Sequence, residues 1–260
     1  MEISLVYALW LREVKRFFRM KSRLVGSLAM PVFFLIFLGF APIRLPDASD
    51  GGYMSFLAPG IIGMILLFAS MGAGISVLWD KQFGFLKEIM VAPVSRHTIV
   101  LGKTLGGVTT ALFQAVFILV LALPLGLELT GINAQPSLGG YWLGFWLAVL
   151  FMILIGLTFT GLGVAFASRM KDFQGFQFVW NFLVMPVFLT SGALFPLDVF
   201  PQWLQYLTYV NPLTYGVDGL RGSLIAASVL PLSLDLAVLL GTSIITIALA
   251  AYLFTRTEVD

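Results

Sequence analysis

The chain has 260 residues, of which 59% are hydrophobic and 11% charged, with a formal net charge of +2 and a mean hydropathy of +0.98. Soluble domains carry about 25% charged residues, so this chain has too few to cover a water-exposed fold, which excludes an ordinary soluble enzyme or DNA-binding domain. The small net charge gives no indication of a nucleic-acid partner, and the absence of cysteine excludes disulfides, thiolate metal sites and cysteine nucleophiles.

The N-terminal segment, residues 1–23, predicts an amphipathic helix that lies in the plane of the membrane. A helix over Val6–Met20 has a largely apolar side made of Val6, Leu9, Trp10, Val14, Phe17 and Phe18. Its other side carries Arg12, Lys15, Arg16 and Arg19. This pattern favours an interfacial helix on anionic lipid over a solvated basic tail, because a tail has no need of Trp10 and Phe17.

Six apolar stretches follow, and a helix of roughly 20 such residues crosses a bilayer. They are Leu24–Phe40, Leu57–Trp79, Ile99–Gly126, Tyr141–Ala167, Phe173–Leu194 and Leu232–Phe254. None alternates with a period of two, which disfavours a transmembrane β-barrel. Gly102 and Gly106 form a Gly-x3-Gly step that favours close helix packing, either within the chain or between chains. The sequence therefore predicts an all-α polytopic membrane protein with six transmembrane helices.

The distribution of basic residues predicts the orientation. Thirteen of the 15 Lys and Arg residues lie on one side of the predicted spans, in the N-terminal segment, the second and fourth connections and the C-terminal tail. Only Arg44 and Arg221 lie on the other side. By the positive-inside rule both termini are cytoplasmic, and we expect a multi-pass protein of the cell membrane.

The second connection, Trp79–Thr98, is too polar to span and too apolar for a simple linker. It predicts a short cytoplasmic helix over about residues 84–91, within a segment of about 82–93 that ends at Pro93. The apolar side of this helix is Phe85, Leu86, Ile89 and Met90, and the charged side is Lys87 and Glu88. Ser95 is placed to cap the next span. The helix either docks into a groove of a partner protein or rests on lipid.

The predicted spans contain almost no ionisable side chains. Lys103 and Asp235 lie near the starts of spans, within reach of an interface, and Asn181 is the main strongly polar residue at depth. Asn181 and Pro186, in the same span, are candidates for lining a pathway. Charges at depth usually mark ion or proton routes, so their scarcity argues against a proton-coupled pump, a voltage sensor or an acidic cation channel. A route for apolar or amphipathic cargo fits better.

The fifth connection predicts a structured external hairpin at residues 195–222, because it is too apolar for a loose loop. Asn211 and Pro212 form the pattern of a helix N-cap followed by proline at the first helical position. Asp218 and Arg221 follow as an i, i+3 pair on the second short helix. The hairpin also contains Pro196, Trp203 and Tyr215, and its composition fits either a gate on a path or a plug of the bundle.

No catalytic, metal or nucleotide site is predicted. His97 is the only histidine, which excludes an intramembrane Ser–His pair and a two-His metal site within one chain. A phosphate-binding Gly-x4-Gly-Lys-Ser/Thr loop is absent, because the first glycine of the fragment Gly102-Lys103-Thr104 would fall on His97. We therefore expect no enzyme activity, no bound cofactor and an energy source outside the chain.

Two motifs resemble a known family. The segment from Phe83 to Arg96, followed by Leu101-Gly-Lys, resembles the cytoplasmic segment of ABC-2 type transporter permeases. The segment from Phe200 to Arg221 resembles their external signature, and the whole chain looks most like the daunorubicin-resistance type of drug-efflux permease. The resemblance implies a homodimer that binds two copies of a separate cytoplasmic ATPase, and this partner would hold ATP and Mg²⁺.

The resemblance also implies roles for segments of this sequence. The coupling helix and its exit would contact the ATPase through Phe83, Phe85, Leu86, Lys87, Glu88, Ile89, Pro93, Ser95 and Arg96. The N-terminal helix with Trp10, Arg12, Arg16 and Phe17 would be the connecting helix beside it, and Asn211–Arg221 would belong to re-entrant helices that close the outer end. The cargo route would lie between two permease copies, lined by the second and fifth spans.

We therefore expect the permease subunit of an ATP-binding cassette exporter that moves a hydrophobic or amphipathic cargo, drug or lipid-like, out across the cell membrane. Export of a lipid-linked glycan or polysaccharide by the same type of permease is the alternative. A membrane-embedded lipid-modifying enzyme belongs to a different class and would have only Asp218, Arg221 and Asp235 as catalytic candidates. A scaffold or secretion component without transport is a third class.

Overall fold

A computed structural model describes residues 2–40, 52–84, 95–132, 138–170 and 172–256. Most of the predicted coupling helix lies outside the described residues, namely Phe85, Leu86, Lys87, Glu88, Ile89 and Pro93. Arg44, one of the two basic residues assigned to the outer side, lies outside them as well.

The described part of the chain forms nine helices and no strand. They are α1 (Glu2–Arg19), α2 (Lys21–Gly39), α3 (Gly52–Gln82), α4 (Arg96–Ala122), α5 (Leu138–Arg169), α6 (Phe173–Leu189), α7 (Gln202–Val210), α8 (Pro212–Ile225) and α9 (Leu232–Thr255). Five of these, α2, α3, α4, α5 and α9, are long and apolar enough to cross a membrane. The prediction of an all-helical, multi-pass membrane protein is confirmed, with five candidate spans among the described residues where six were predicted.

The difference lies in α6, which corresponds to the predicted fifth span and is shorter than that stretch. It ends at Leu189, five residues before the end of the apolar run. Trp180–Val184 in its middle form a π-helix directly before the turn that contains Pro186. Proline has no N–H, and its ring crowds the carbonyl four residues earlier, so a wider turn accommodates it inside a helix. Gly192, with φ +74°, follows in the turn after the helix.

The centre of the bundle is formed by α3 and α5. α3 packs against α2, α4, α5 and α8, and α5 also packs against α4, α8 and α9. Glycines allow the two central backbones to touch: a Cβ added at Gly74 would collide with the carbonyl oxygen of Gly163. A Cβ at Gly163 would lie 2.7 Å from the carbonyl oxygen of Met71. Close approach at small residues is the usual means by which helices pack in lipid.

The two ends of the bundle differ chemically. The basic end comprises α1, the N-terminal ends of α2 and α4 and the C-terminal ends of α3, α5 and α9, and it carries Lys81, Arg96, Lys103, Arg169 and Arg256 with the arginines of α1. An apolar cluster that includes Leu9, Val77, Ile99, Val164 and Phe254 joins α1, α3, α4, α5 and α9. The hairpin end comprises α7, α8 and the N-terminal ends of α3, α5 and α9.

Candidate functional site

The N-terminal helix α1 packs along the first turns of α4. Gly102 and Gly106 of α4 face α1: a Cβ added at Gly102 would lie 2.8 Å from the Cβ of Leu9. A Cβ at Gly106 would lie 2.7 Å from the Cβ of Glu13. The Gly-x3-Gly step therefore serves packing within the chain, and the N-terminal segment is a docked helix rather than a loose tail.

The apolar side of α1 is divided between the bundle and the surface. The indole Nε1 of Trp10 donates a hydrogen bond to Oγ1 of Thr109 at 2.9 Å, and Phe17 is buried. Tyr7 and Phe18 are exposed. The predicted amphipathic pattern is thus present, with part of its apolar side used for packing on α4.

A buried charge cluster holds α1 to the ends of α3 and α4. The carboxylate of Asp80 accepts hydrogen bonds from the Arg12 guanidinium and from the Lys103 ammonium group. Arg16 lies 4.0 Å from Asp80, and Lys103 also lies 3.8 Å from a Glu13 oxygen. Lys103 and Asp80 are only 2% and 4% exposed. The expectation that Lys103 reaches an interface is wrong, because its charge is paired inside the protein.

Asp80 and Glu13 are functional candidates that the sequence patterns missed. Asp80 is separated in sequence from Arg12 by 68 residues and from Lys103 by 23 residues. These contacts therefore have no signature in the local residue spacing. The single sequence signal is an acidic residue at the end of an otherwise apolar helix. Charges buried in this way usually exist in pairs.

The segment predicted to couple to a partner begins and ends at the basic end. α3 is followed by Phe83, which is 73% exposed, and by Gly84 in the left-handed conformation that ends many helices. Ser95 caps α4, as predicted, by accepting a hydrogen bond from the Thr98 N–H. Arg96 donates a hydrogen bond to the carbonyl oxygen of Thr255 and so connects the start of α4 to the end of α9.

Asn211 joins α8 to α6 at the hairpin end. Its Oδ1 accepts from the Leu213 N–H at 2.9 Å, which is the N-cap that the Asn211–Pro212 pattern predicts. Its Nδ2 donates to the Val187 carbonyl oxygen at 2.6 Å and to the Thr190 hydroxyl at 3.2 Å. One buried amide therefore starts one helix and fastens the end of another.

Asp218 and Arg221 do not form the ion pair that their i, i+3 spacing predicts. Within the described chain, each side chain hydrogen-bonds to backbone instead of to the other. The carboxylate of Asp218 accepts from the N–H groups of Val229, at 2.9 and 3.1 Å, and Leu230, at 2.8 Å. It thus holds the turn between α8 and α9.

The Arg221 guanidinium is buried and holds two other segments. Nη2 donates to the carbonyl oxygens of Gly192 at 2.8 Å and Ala193 at 3.3 Å, and Nε donates to that of Phe56 at 3.3 Å. The guanidinium carbon also lies 3.7 Å from the centre of the Phe56 ring. Backbone carbonyls therefore provide the hydrogen-bond acceptors of this buried cation.

The remaining hairpin candidates lie mostly on the surface. Trp203 is 67% exposed, and Pro196 begins a short 3₁₀ turn after α6. The Tyr215 hydroxyl donates to the Tyr209 carbonyl oxygen at 2.7 Å and so ties α8 to α7. Asp235, which was expected to reach an interface, is instead fully buried, and its carboxylate oxygens have no hydrogen-bond partner within the described chain.

A cavity of about 830 Å³ lies between α2, α3 and α6. Its walls are mainly apolar and aromatic, with Phe34, Phe68, Trp180 and Phe188 among them. The junction of α1 and α2 borders it at the basic end with Arg16, Phe17 and Arg23, and α4 contributes Thr110 and Gln114. Because five helices contribute to the lining, no single stretch of sequence signals the cavity.

Neither of the two pathway candidates on α6 lines this cavity. Asn181 and Pro186 are both exposed on the opposite, outward surface of the helix. Around them that surface is apolar, with Phe178 and Phe182 exposed. A polar amide on an otherwise apolar exposed face needs a hydrogen-bond partner if the helix lies in a membrane.

Comparisons with known proteins agree on one family. A family profile described as ABC-2 type transporter matches residues 4–225. A putative transport permease ycf38 from Cyanophora paradoxa is 30% identical over 218 residues, 80% of this chain and 71% of the relative. The inner membrane transport permease YadH from Escherichia coli strain K12 is 27% identical over 235 residues, 89% of this chain and 87% of that protein. The probable multidrug ABC transporter permease YbhR of the same strain is 30% identical over 168 residues, 64% of this chain and 42% of YbhR.

Proposed function

This chain belongs to the ABC-2 type transporter family, and we propose that it is the permease subunit of an ATP-binding cassette exporter. In this proposal it moves a hydrophobic or amphipathic cargo out across the cell membrane, and a separate ATPase subunit supplies the energy. The family match over residues 4–225, from the first turn of α1 to the end of α8, carries the proposal. Relatives named as transport permeases support it.

The basic end is proposed to be cytoplasmic and to receive the ATPase. The positive-inside bias supports this orientation, as does the attachment of the coupling segment to α3 and α4 at that end. Two ATPase copies, holding ATP and Mg²⁺, would contact Phe83, the coupling segment of about residues 82–93 and Arg96. The charge cluster at Asp80 lies next to this segment in sequence and joins α1, α3 and α4, so movement at the segment would reach all three helices.

A homodimer is proposed to enclose the cargo route. The outward face of α6 supports this, because Asn181 is exposed there beside Phe178 and Phe182. Facing a second copy, the amide would find a polar partner or a hydrated route, whereas facing lipid tails it would find neither. In this arrangement α6 acts as the sixth membrane-crossing element, with the chain beyond Leu189 completing the crossing, and α1 lies in the cytoplasmic interface.

The hairpin of α7 and α8 is proposed to close the outer end of the route. Its attachments support a rigid plug: Asn211 to α6, Arg221 to Phe56 and the 192–193 turn, and Asp218 to the turn before α9. The exposed aromatic residues Trp203 and Tyr206 are suited to the outer membrane interface. Opening would require these bonds to break or to move together.

Co-purification tests the proposed partnership. The ABC ATPase encoded next to this chain, recognised by its phosphate-binding loop, would be tagged and expressed with the untagged permease. We expect the two to purify as a complex with two copies of each. A permease that never associates with an ABC ATPase in detergent or nanodiscs contradicts the proposal and favours a scaffold. A complex whose hydrolysis responds to lipid-linked glycans but to no simple lipid or drug favours the glycan alternative.

A further inference from the structure

The cavity between α2, α3 and α6 is deep, and the part lined by Arg16, Phe17 and Arg23, called its mouth below, lies at the basic end. Along α3 its lining extends from Trp79 to Met64, a rise of about 22 Å. One leaflet of the hydrocarbon core is about 15 Å deep. Its volume of about 830 Å³ lies within the range of ligand-binding pockets. The space is therefore sufficient for the apolar tail of a membrane lipid.

Among the described residues, positive charge exceeds negative charge at the mouth. Four cations and two carboxylates meet there: Arg12, Arg16, Arg23, Lys103, Glu13 and Asp80. Arg12 and Lys103 are the close partners of Asp80, and Lys103 is the one nearest to Glu13. Arg16 reaches Asp80 only at 4.0 Å. The Arg23 side chain makes no hydrogen bond and no ion pair within 4.0 Å among the described residues, and Glu13 acts on it only at longer range. Two guanidinium groups that line the cavity thus remain available to a ligand.

We propose that this cavity is the entry site for cargo and that it accepts an amphiphile with an anionic phosphate headgroup from the membrane leaflet at the basic end. The assignment of the bound amphiphile as cargo rests on the permease function proposed above. Guanidinium groups bind phosphate through charge-assisted, often paired hydrogen bonds. Arg16 and Arg23 hold the headgroup at the mouth, and the aromatic walls receive the acyl chain.

Other ligand chemistries fit the same space less well. A cationic amphiphile would place its charge beside Arg16 and Arg23, where like charges repel. A neutral or zwitterionic one would leave the excess positive charge uncompensated. The few polar groups deeper in the cavity, such as Ser27, Ser76 and Gln114, carry no formal charge. The cavity therefore selects its ligand by the charge of the headgroup at the mouth and not by the chemistry of the acyl chain.

Lipid retention by the purified full chain tests the proposal without the ATPase. The chain is titrated in detergent with phosphatidylglycerol or phosphatidylcholine of identical acyl chains, and bound lipid is counted by native mass spectrometry. We expect the wild-type chain to prefer phosphatidylglycerol by about tenfold, the scale of one charge-assisted hydrogen bond. Arg23→Gln should remove most of this preference and should still fold, because the Arg23 side chain makes no hydrogen bond or close ion pair among the described residues. Arg19→Gln is the matched control, since Arg19 is exposed on α1 and does not line the cavity.

A second variant tests whether the acyl chain occupies the cavity. Gly72 lines it, and the nearest atom to a Cβ at this position is Cη2 of Trp180 at 3.9 Å, so the Cβ is accommodated and Gly72→Leu adds apolar volume to the cavity wall. We expect Gly72→Leu to lower retention of both lipids by about tenfold, the scale of burying a few methylene groups. Gly241→Leu on α9, where no atom lies within 4 Å of an added Cβ, should leave retention unchanged.

Three results would overturn the proposal: equal retention of the two lipids by the wild-type chain, equal loss in Arg19→Gln and Arg23→Gln, or unchanged retention in Gly72→Leu. The first excludes headgroup selection, the second indicates a diffuse surface charge effect, and the third places the lipid elsewhere. These outcomes are separate from the permease function. If the chain couples to an ATPase but fails this test, only the entry site is wrong; if it passes but binds no ATPase, the site stands and the exporter role does not.

Discussion

At the scale of single residues, the hairpin end depends on side chains that bind backbone. Arg221 holds three carbonyl oxygens in two segments, and Asp218 holds two N–H groups in a third. Side chains that satisfy backbone groups in irregular turns allow those turns to be buried. Asp218 and Arg221 thus each stabilise the conformation of a different part of the backbone.

Exchanging these two charges tests that separation. The double variant Asp218→Arg/Arg221→Asp should be no more stable than either single variant, because neither new side chain matches the backbone groups at its position. Each single variant should lose about 1.5–3 kcal/mol, the typical value of hydrogen bonds to a charged group. Thermal unfolding in detergent, followed by fluorescence, measures the three variants. A double variant that recovers wild-type stability would indicate direct pairing instead.

Removing the charge of Asp80 tests the cluster at the basic end. Asp80→Asn leaves the buried Lys103 and Arg12 without a counter-charge and should destabilise the chain by about 3–5 kcal/mol. Adding Lys103→Met should restore part of that loss, because the largest uncompensated charge is removed as well. The same thermal assay measures both. If the double variant loses as much as the two single variants together, the two residues are not coupled.

Local patterns predicted some of these residues and missed others for a physical reason. The caps at Ser95 and Asn211 depend on neighbours two or three residues away, so the sequence shows them directly. The partners of Asp80, Arg221 and Asp218 depend on how distant helices pack. The i, i+3 spacing of Asp218 and Arg221 allows a pair, but it cannot show that backbone groups compete for both.

At the scale of helices, α1 is an integral part of the bundle. It lies against Gly102 and Gly106 of α4, donates from Trp10 to Thr109 and pairs Arg12 with the end of α3. Some of its basic residues face Asp80, whereas Lys15 and Arg19 are exposed.

Cross-linking measures the docking of α1 directly, since the chain has no cysteine of its own. The pair Leu9→Cys/Gly102→Cys should form an intramolecular disulfide on mild oxidation, because a Cβ at residue 102 lies 2.8 Å from that of Leu9 and a small shift gives disulfide geometry. Leu9→Cys/Gly241→Cys, with its partner on the outer face of α9, is the control and should not cross-link. Mobility on non-reducing gels reports the bond. No cross-link in the first pair would mean that α1 leaves α4 in the membrane.

The positions of most helices could be predicted, because the length of each apolar stretch and the periodicity of its residues determine them. The exception is α6. The predicted fifth span reaches Leu194, but α6 ends at Leu189 after a π-helix at Trp180–Val184. Hydrophobicity alone cannot show where a helix ends when the following turn is also buried. Here Ala193 is fully buried, and its carbonyl oxygen binds Arg221.

At the scale of the whole molecule, the basic end and the hairpin end carry different tasks in the proposed cycle. ATP-driven closure of the ATPases would act on the segment between α3 and α4, and the Asp80 cluster would pass this movement to α1. The cavity adjoins the Asp80 cluster, because Arg16 belongs to both. The hairpin end would open only when the bonds of Asn211, Asp218 and Arg221 rearrange.

The central claim is that this chain is the permease of an ATP-driven exporter. It is tested most directly by measuring ATP hydrolysis by the permease–ATPase complex in phosphatidylcholine liposomes, with and without added phosphatidylglycerol. We expect the wild-type complex to be stimulated several-fold. Glu88→Ala should keep the ATPase bound but lose most of this stimulation, since residue 88 lies in the proposed coupling helix. Glu128→Ala, an exposed carboxylate beyond the far end of α4, is the matched control and should behave as wild type. A complex in which Glu88→Ala and wild type are stimulated equally would contradict the coupling role, and a permease that leaves the ATPase unaffected under all conditions would contradict the exporter itself.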